Sequence, residues 1–159
     1  MAPALRPVYK TVDDCTICAD IYVPAKSTTD VSNGKDRCPV ALIIHGGAFM
    51  LGHSGMVSLD QVGDMQERGW IVVSPEHRLC PQVDILEGPI TDIRDCLDWV
   101  YNGGLERELA NSDTTSRFAV DHDRVVAVGT SSGGTMALAL VCFLVLYIVI
   151  NRAQQVDNR

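Results

Sequence analysis

The sequence predicts an α/β fold: a mostly parallel sheet with antiparallel strands at its N-terminal side and helices flanking it. Three observations point there. Residues 39–44, 70–73 and 125–128 are continuous apolar runs, the pattern of strands covered on both faces. Between these runs lie segments of helical periodicity. The last run ends in Gly129-Thr130-Ser131-Ser132-Gly133, a G-x-S-x-G turn that opens another apolar stretch. After residue 38 the order is strand, helix, strand, helix, strand, helix, and such alternation builds a parallel sheet through helical crossovers.

Each element has its own signal. Residues 9–23 read as two short strands around Asp13-Asp14, with Ile17, Ala19, Ile21 and Val23 alternating as a half-buried strand does. Pro24 ends the second strand, and the polar residues 26–37 read as a loop. Residues 59–68 read as a helix with Leu59, Val62 and Met65 on one side and Gly69 as its stop. The strand at 70–73 ends at Ser74-Pro75. Residues 91–101 read as an amphipathic helix whose Ile93, Cys96, Leu97 and Val100 fall on one face, closed by Gly103-Gly104. Residues 111–123 read as a polar linker before the strand at Val125.

Bulk properties narrow the function. A chain of 159 residues has room for one domain. A net charge of −7 and a pI near 4.9 argue against nucleic acid or an anionic membrane surface as partner. The first seven residues lack the apolar core of a secretory signal, so a cytoplasmic, reducing setting is expected. Cys15-Thr16-Ile17-Cys18 has the C-x-x-C form, but in a strand residues three apart point to opposite faces, and a second such pair is missing. The six cysteines therefore read as buried free thiols. Asp121-His122-Asp123 reads as a polar loop rather than a metal site, and Asp92, Asp95 and Asp98 beside Arg94 read as a solvated helix face. No metal or cofactor is implied.

The chemistry gathers at two turns. A serine hydroxyl needs a base to take its proton and donors to hold the oxyanion that follows. In a strand–turn–helix elbow the serine is lifted above the sheet, and small residues on either side let strand and helix nearly touch. Gly129 and Gly133 are those residues, and Ser131 is the candidate nucleophile. The N–H of Ser132 lies at the start of the following helix, whose dipole favours negative charge. His45-Gly46-Gly47-Ala48-Phe49 ends a buried strand, and its glycines let main-chain N–H groups of Gly46, Gly47 and Ala48 turn toward one point.

These stretches resemble the N-terminal half of an α/β-hydrolase of the hormone-sensitive-lipase-like carboxylesterase group, from about residue 8 to about residue 141. His45-Gly-Gly-Ala-Phe49 resembles that group's HGGG oxyanion motif. Val72-Val-Ser-Pro-Glu-His-Arg-Leu-Cys-Pro81 resembles its V-x-x-D-Y-R-L-A-P stretch, with His77 where a tyrosine is usual. Val120-Asp-His-Asp-Arg124 resembles V-D-P-x-R, and Gly129-Thr-Ser-Ser-Gly-Gly134 resembles G-D-S-A-G-G. Ala48 replaces the third glycine, Thr130 the usual Asp and Ser132 the usual Ala. The resemblance implies an incomplete α/β-hydrolase fold over residues 1–150, followed by a polar tail at 151–159. It implies a small-molecule carboxylic ester, or a similar acyl compound, as substrate.

The same resemblance exposes a gap. In these hydrolases the acid and then the histidine of the triad follow the serine in the chain. After Ser131 this sequence has Asp157 as its one carboxylate side chain and no histidine; His45, His53, His77 and His122 all precede it. None of the four is expected to act as the base, so hydrolysis is expected to be impaired by truncation. The nucleophile strand is expected to be an exposed sheet edge, open to self-association. That leaves a second reading, a non-catalytic interaction protein. The uncharged stretch 136–150, extended back to Gly133, is near the minimum length for a membrane span, but it reads first as the buried helix after the elbow.

Overall fold

The computed structural model of the chain describes residues 1–25, 31–32 and 34–140. The segments expected as a membrane-associating stretch beyond residue 140 and as a polar tail lie outside these residues. Among the described residues no helix is long and apolar enough to cross a membrane.

Six strands form one mixed sheet: β1 (Val8–Val12), β2 (Cys15–Tyr22), β3 (Val31–Ser32), β4 (Lys35–Ile44), β5 (Ile71–Pro75) and β6 (Phe118–Gly129). The hairpin β1–β2 is antiparallel, and β2 pairs antiparallel with β5. β4 lies at the centre, parallel to β5 on one side and to β6 on the other. Four helices complete the fold: α1 (Leu59–Glu67), α2 (Thr91–Tyr101), α3 (Gly104–Ala110) and α4 (residues 132–140). A π-helical turn, Leu86–Ile90, runs directly into α2.

The period of two along β4 sorts the core into two layers. Val40, Leu42 and Ile44 face one side, where they join Ile93, Cys96, Leu97 and Val100 of α2, Leu105 and Leu109 of α3, and Met136 and Leu140 of α4. Ala41 and Ile43 face the other side, with Val72 of β5 and Val62 of α1. The helices thus cover both faces of the central strands, and the continuous apolar runs follow from this.

Three local expectations are corrected. Residues 26–37 are not all loop: Val31–Ser32 pairs antiparallel with the first residues of β4, and β4 itself begins at Lys35. Residues 111–123 are not all linker, because β6 begins at Phe118. Between the pairs Cys38↔Val120 and Val40↔Val125, β4 advances two residues while β6 advances five. The polar run Asp121 to Arg124 occupies this irregularity, so it hides the strand from any alternation test. Gly103 does not simply end a helix. At φ 75° it turns the chain into α3, whose Leu105 and Leu109 are buried.

The largest correction concerns Asp92. Its side chain is fully buried rather than solvated, because α2 packs against β1. Lys10 Nζ donates to Oδ1 at 2.6 Å, while the Arg78 backbone N–H and guanidinium Nε donate to Oδ2 at 2.9 Å each. Burial alone would raise the Asp92 pKa, but Arg78 and Lys10 outweigh it and hold the carboxyl below its ordinary value. Asp95 is half-exposed and meets Lys10 at 2.6 Å, and Asp98 is exposed. The cysteines also divide: Cys38 and Cys96 are buried, Cys18 and Cys80 are half-buried and Cys15 is exposed at the start of β2, while Cys142 lies outside the described residues.

Candidate active site

The two glycine-bearing turns meet at the carboxyl ends of β4 and β6. Ser131 lies two residues past the end of β6, in the turn that leads into α4, and is exposed, with φ 55°. A residue with a Cβ in this left-handed region carries a backbone cost of about 1–2 kcal/mol. The surrounding close packing holds it there. A Cβ on Gly129 would lie 2.3 Å from the backbone of Gly133, and one on Gly133 would lie 2.3 Å from the Ile44 carbonyl oxygen. The strand, the turn and α4 therefore approach main chain to main chain, and only glycine fits. Gly133 N–H donates to Thr130 O at 2.9 Å and closes the turn.

Gly46 sits directly against the elbow. A Cβ there would lie 2.7 Å from Thr130 O and 3.2 Å from Ser131 Cβ. Gly47 takes φ 135°, and Ala48 and Phe49 follow at φ 53° and 62°. The Gly47 carbonyl then accepts from both Met50 N–H (2.9 Å) and Leu51 N–H (3.0 Å). All five predicted site residues, Ser131, Gly46, Gly47, Ala48 and Ser132, belong to these two abutting turns. The left-handed pair Ala48-Phe49 was not foreseen, since neither residue type signals positive φ.

The Gly46–Phe49 turn is tied to the segment after β5. Cys80 N–H donates to Phe49 O at 2.8 Å. The His45 and His77 rings stack with centroids 4.4 Å apart and planes 12° apart. Each ring places Nδ1 against the next main-chain carbonyl, Gly46 O at 2.8 Å and Arg78 O at 3.0 Å. As carbonyls only accept, both rings carry their proton on Nδ1. Both Nε2 atoms, and Ser132 Oγ, are buried with no hydrogen-bond partner among the described residues. Burial pushes the His77 pKa below its ordinary value, with the Arg78 carbonyl opposing it.

The remaining histidines have other contacts. His53 Nδ1 caps the 3₁₀ turn Ser54–Met56 by accepting from Gly55 N–H at 3.2 Å. His122 meets Glu106 at 2.5 Å and stacks on Tyr101. Asp121 pairs with Arg37 at 2.7 Å and with Arg124, and Asp123 pairs with Arg37 at 3.0 Å. Both aspartates of the tripeptide are thus engaged in ion pairs with arginines.

A second network escaped sequence reasoning. Arg6 donates to Asp20 (2.5 Å), Ser54 Oγ (2.9 Å) and Glu76 (2.9 Å), and Ser54 Oγ lies 2.6 Å from Asp20 and 2.8 Å from Glu76. It joins the N-terminal segment, β2, the 3₁₀ turn that begins at Ser54 and the residue just after β5. Burial would raise the Glu76 pKa, but Arg6 and Ser54 bring it below its ordinary value. The signal was diffuse, because four residues spread over seventy positions carry no local pattern.

Sheet order, crossovers and elbow together are those of an α/β-hydrolase. The esterase Est2 of Thermogutta terrifontis, in its propionate-bound form, superposes with a TM-score of 0.65 at 24% identity, over 84% of this chain and 43% of that one. The profile of the BD-FAE family matches residues 19–144. The chain belongs to this family, an esterase-like family of α/β-hydrolases, which bears out the resemblance drawn from the four motifs. Among curated proteins it is 36% identical over 130 residues to the non-reducing polyketide synthase atr1 of Stereocaulon alpinum, and 38% identical over 138 residues to the methylphloroacetophenone synthase of Cladonia uncialis. These matches take in 82% and 87% of this chain but 5% of each relative, so the chain spans a small part of their length.

Proposed function

We propose that the chain is the nucleophile-and-oxyanion side of a serine acyl hydrolase acting on carboxylic esters or similar acyl compounds. One observation carries the reading: Ser131 stands exposed at φ 55°, with Gly46 packed against its Cβ. In this reading Ser131 Oγ attacks the acyl carbonyl carbon and the carbonyl oxygen becomes an oxyanion. The N–H groups of Gly46, Gly47, Ala48 and Ser132 donate to it, and the alcohol leaves with a proton. Water then releases the acyl group from Ser131. The kinship with polyketide synthases supports an acyl substrate.

The proton on Ser131 has no histidine to receive it from later in these 159 residues. Within these 159 residues attack by Ser131 is therefore expected to be several orders of magnitude slower than with a complete triad. The test is p-nitrophenyl acetate hydrolysis by the purified chain and by Ser131→Ala. The reading requires the variant to fall to the buffer rate, and equal rates for the two proteins end it.

The open side of β6 favours a second reading, association without chemistry. Val126 and Val128 are 40% and 42% exposed, and β4 is the strand that β6 pairs with. Sedimentation across a hundredfold concentration range decides it: a single monomeric species throughout excludes the reading.

A further inference from the structure

We propose that His77 is a positioning residue: stacked on His45, it clamps the turn that bears the oxyanion donors, and the clamp holds only while the His77 ring is neutral. The proposal rests on the reading of Gly46, Gly47 and Ala48 as those donors. It starts from the contacts of His45. This ring is wedged between His77 on one side and Gly52 on the other, where a Cβ would lie 2.5 Å from His45 Nδ1. The Nδ1–H of His45 donates to Gly46 O, so the ring's position and the Gly46–Gly47 peptide are linked by one hydrogen bond. His77 is fixed from behind, because the next residue, Arg78, is held by the buried Asp92 through its backbone N–H and its guanidinium. The chain of contacts runs from Asp92 to Arg78, His77, His45 and the Gly46 carbonyl.

The neutral stack is sensitive to protons for a structural reason. A second proton on either ring goes to Nε2, and both Nε2 atoms are buried without an acceptor among the described residues. Such a proton would be an unsatisfied buried donor on a cation, costly on both counts. Two charged rings at 4.4 Å would also repel. Three ionisable groups act on His77: His45 lowers its proton affinity, while Asp92 and Glu76 raise it. The two carboxylates are already neutralised by Lys10, Arg78 and Arg6, and burial of the ring leaves the balance against protonation. The His77 ring therefore takes its second proton, and the stack is lost, only as pH falls through a value below the ordinary one for histidine.

The test is a proton titration of the uniformly ¹⁵N-labelled chain followed by nuclear magnetic resonance, with no turnover required. Ring nitrogen shifts at pH 7.5 are expected to identify the Nδ1–H tautomer for both histidines. Between pH 7.5 and 5, the amide resonances of Gly46, Gly47 and Ala48 are expected to move in step with the His77 ring. In His77→Tyr the stack is kept, the second titrating ring is gone and an aromatic face receives any charge on His45. Those amides are then expected to hold still over the same range, while in His77→Ala they are displaced at every pH. Amides that stay fixed while His77 titrates, or that move identically in wild type and His77→Tyr, overturn the proposal. A failure of esterase activity leaves this readout intact, so the two claims fall separately.

Discussion

The two neighbours of β4 differ sharply. β5 is buried along its whole length, covered by α1 on one face and by α2 on the other, and paired on both edges. β6 is buried at Phe118, Val120 and Asp121, but from Asp123 to Thr130 its residues are exposed or half-buried. The candidate nucleophile follows the open strand, whereas the turn expected to hold the oxyanion follows β4, which is buried between the two. The Gly46–Phe49 turn inherits a rigid base: Val40 to Ile44 beneath it are all buried, and His77, Cys80 and Gly52 brace it from the side. Ser131 inherits its place from contacts with that turn rather than from its own strand. The site is therefore asymmetric, one side fixed by the core and the other fixed by glycine contacts across a seam.

Substitutions can break this picture in order of cost. The largest effect is expected on the closed side. Ile71→Ala removes a side chain with no exposure at the start of β5 and should cost about 4 kcal/mol by urea denaturation. The seam comes next. Gly133→Ala places a methyl 2.3 Å from the Ile44 carbonyl and should destabilise by about 3 kcal/mol. It should also abolish reaction of Ser131 with a fluorophosphonate, because relief of the clash moves α4 away from β4. A variant as stable and as reactive as wild type would show that the seam does not fix the serine.

Third is the ion cluster behind the Gly46–Phe49 turn. Asp92→Asn keeps the shape but removes the charge that Lys10 and Arg78 face, a loss of about 2 kcal/mol at pH 7. The sign of its pH dependence follows from the depressed Asp92 pKa. The charge contributes stability fully above about pH 4, and that contribution is lost as pH falls through the folded value. The gap between wild type and Asp92→Asn should therefore close in acid, below pH 4. A gap that widened there would place the effect elsewhere.

The same contrast explains what could be read from the sequence. β4, β5 and α2 were legible because burial on both faces or on one stripe writes itself as an apolar run or a period. The two glycine turns at Gly46-Gly47 and Gly129–Gly133 were legible because close main-chain approach requires glycine, and glycine at fixed spacing is visible. Asp92 was misread because a buried carboxylate and a solvated one look alike in one dimension; only the arrival of Lys10 and Arg78 in space separates them. The first half of β6 was missed because its irregularity is filled with Asp121, His122, Asp123 and Arg124, each engaged with a side chain remote from the strand's own pattern or with a neighbour across the bulge. The His45–His77 stack had only one trace, a histidine where the family usually has a tyrosine.

The smallest stability effect is expected at the open strand, and it is the most discriminating. Val128 is 42% exposed and pairs with Ile43 through the backbone alone, so Val128→Lys should change stability by less than about 0.5 kcal/mol. An equivalent charge at Val73, fully buried on β5, would leave no folded protein to measure. If β6 acts as an association edge, the lysine should abolish it, since a charge on an edge strand opposes strand addition. Sedimentation of Val128→Lys beside wild type measures this directly. Loss of a wild-type oligomer with unchanged stability would assign the open strand to a partner surface. A large loss of stability would instead mean that Val128 is already covered, and the difference between the two sides of β4 would be smaller than its exposure implies.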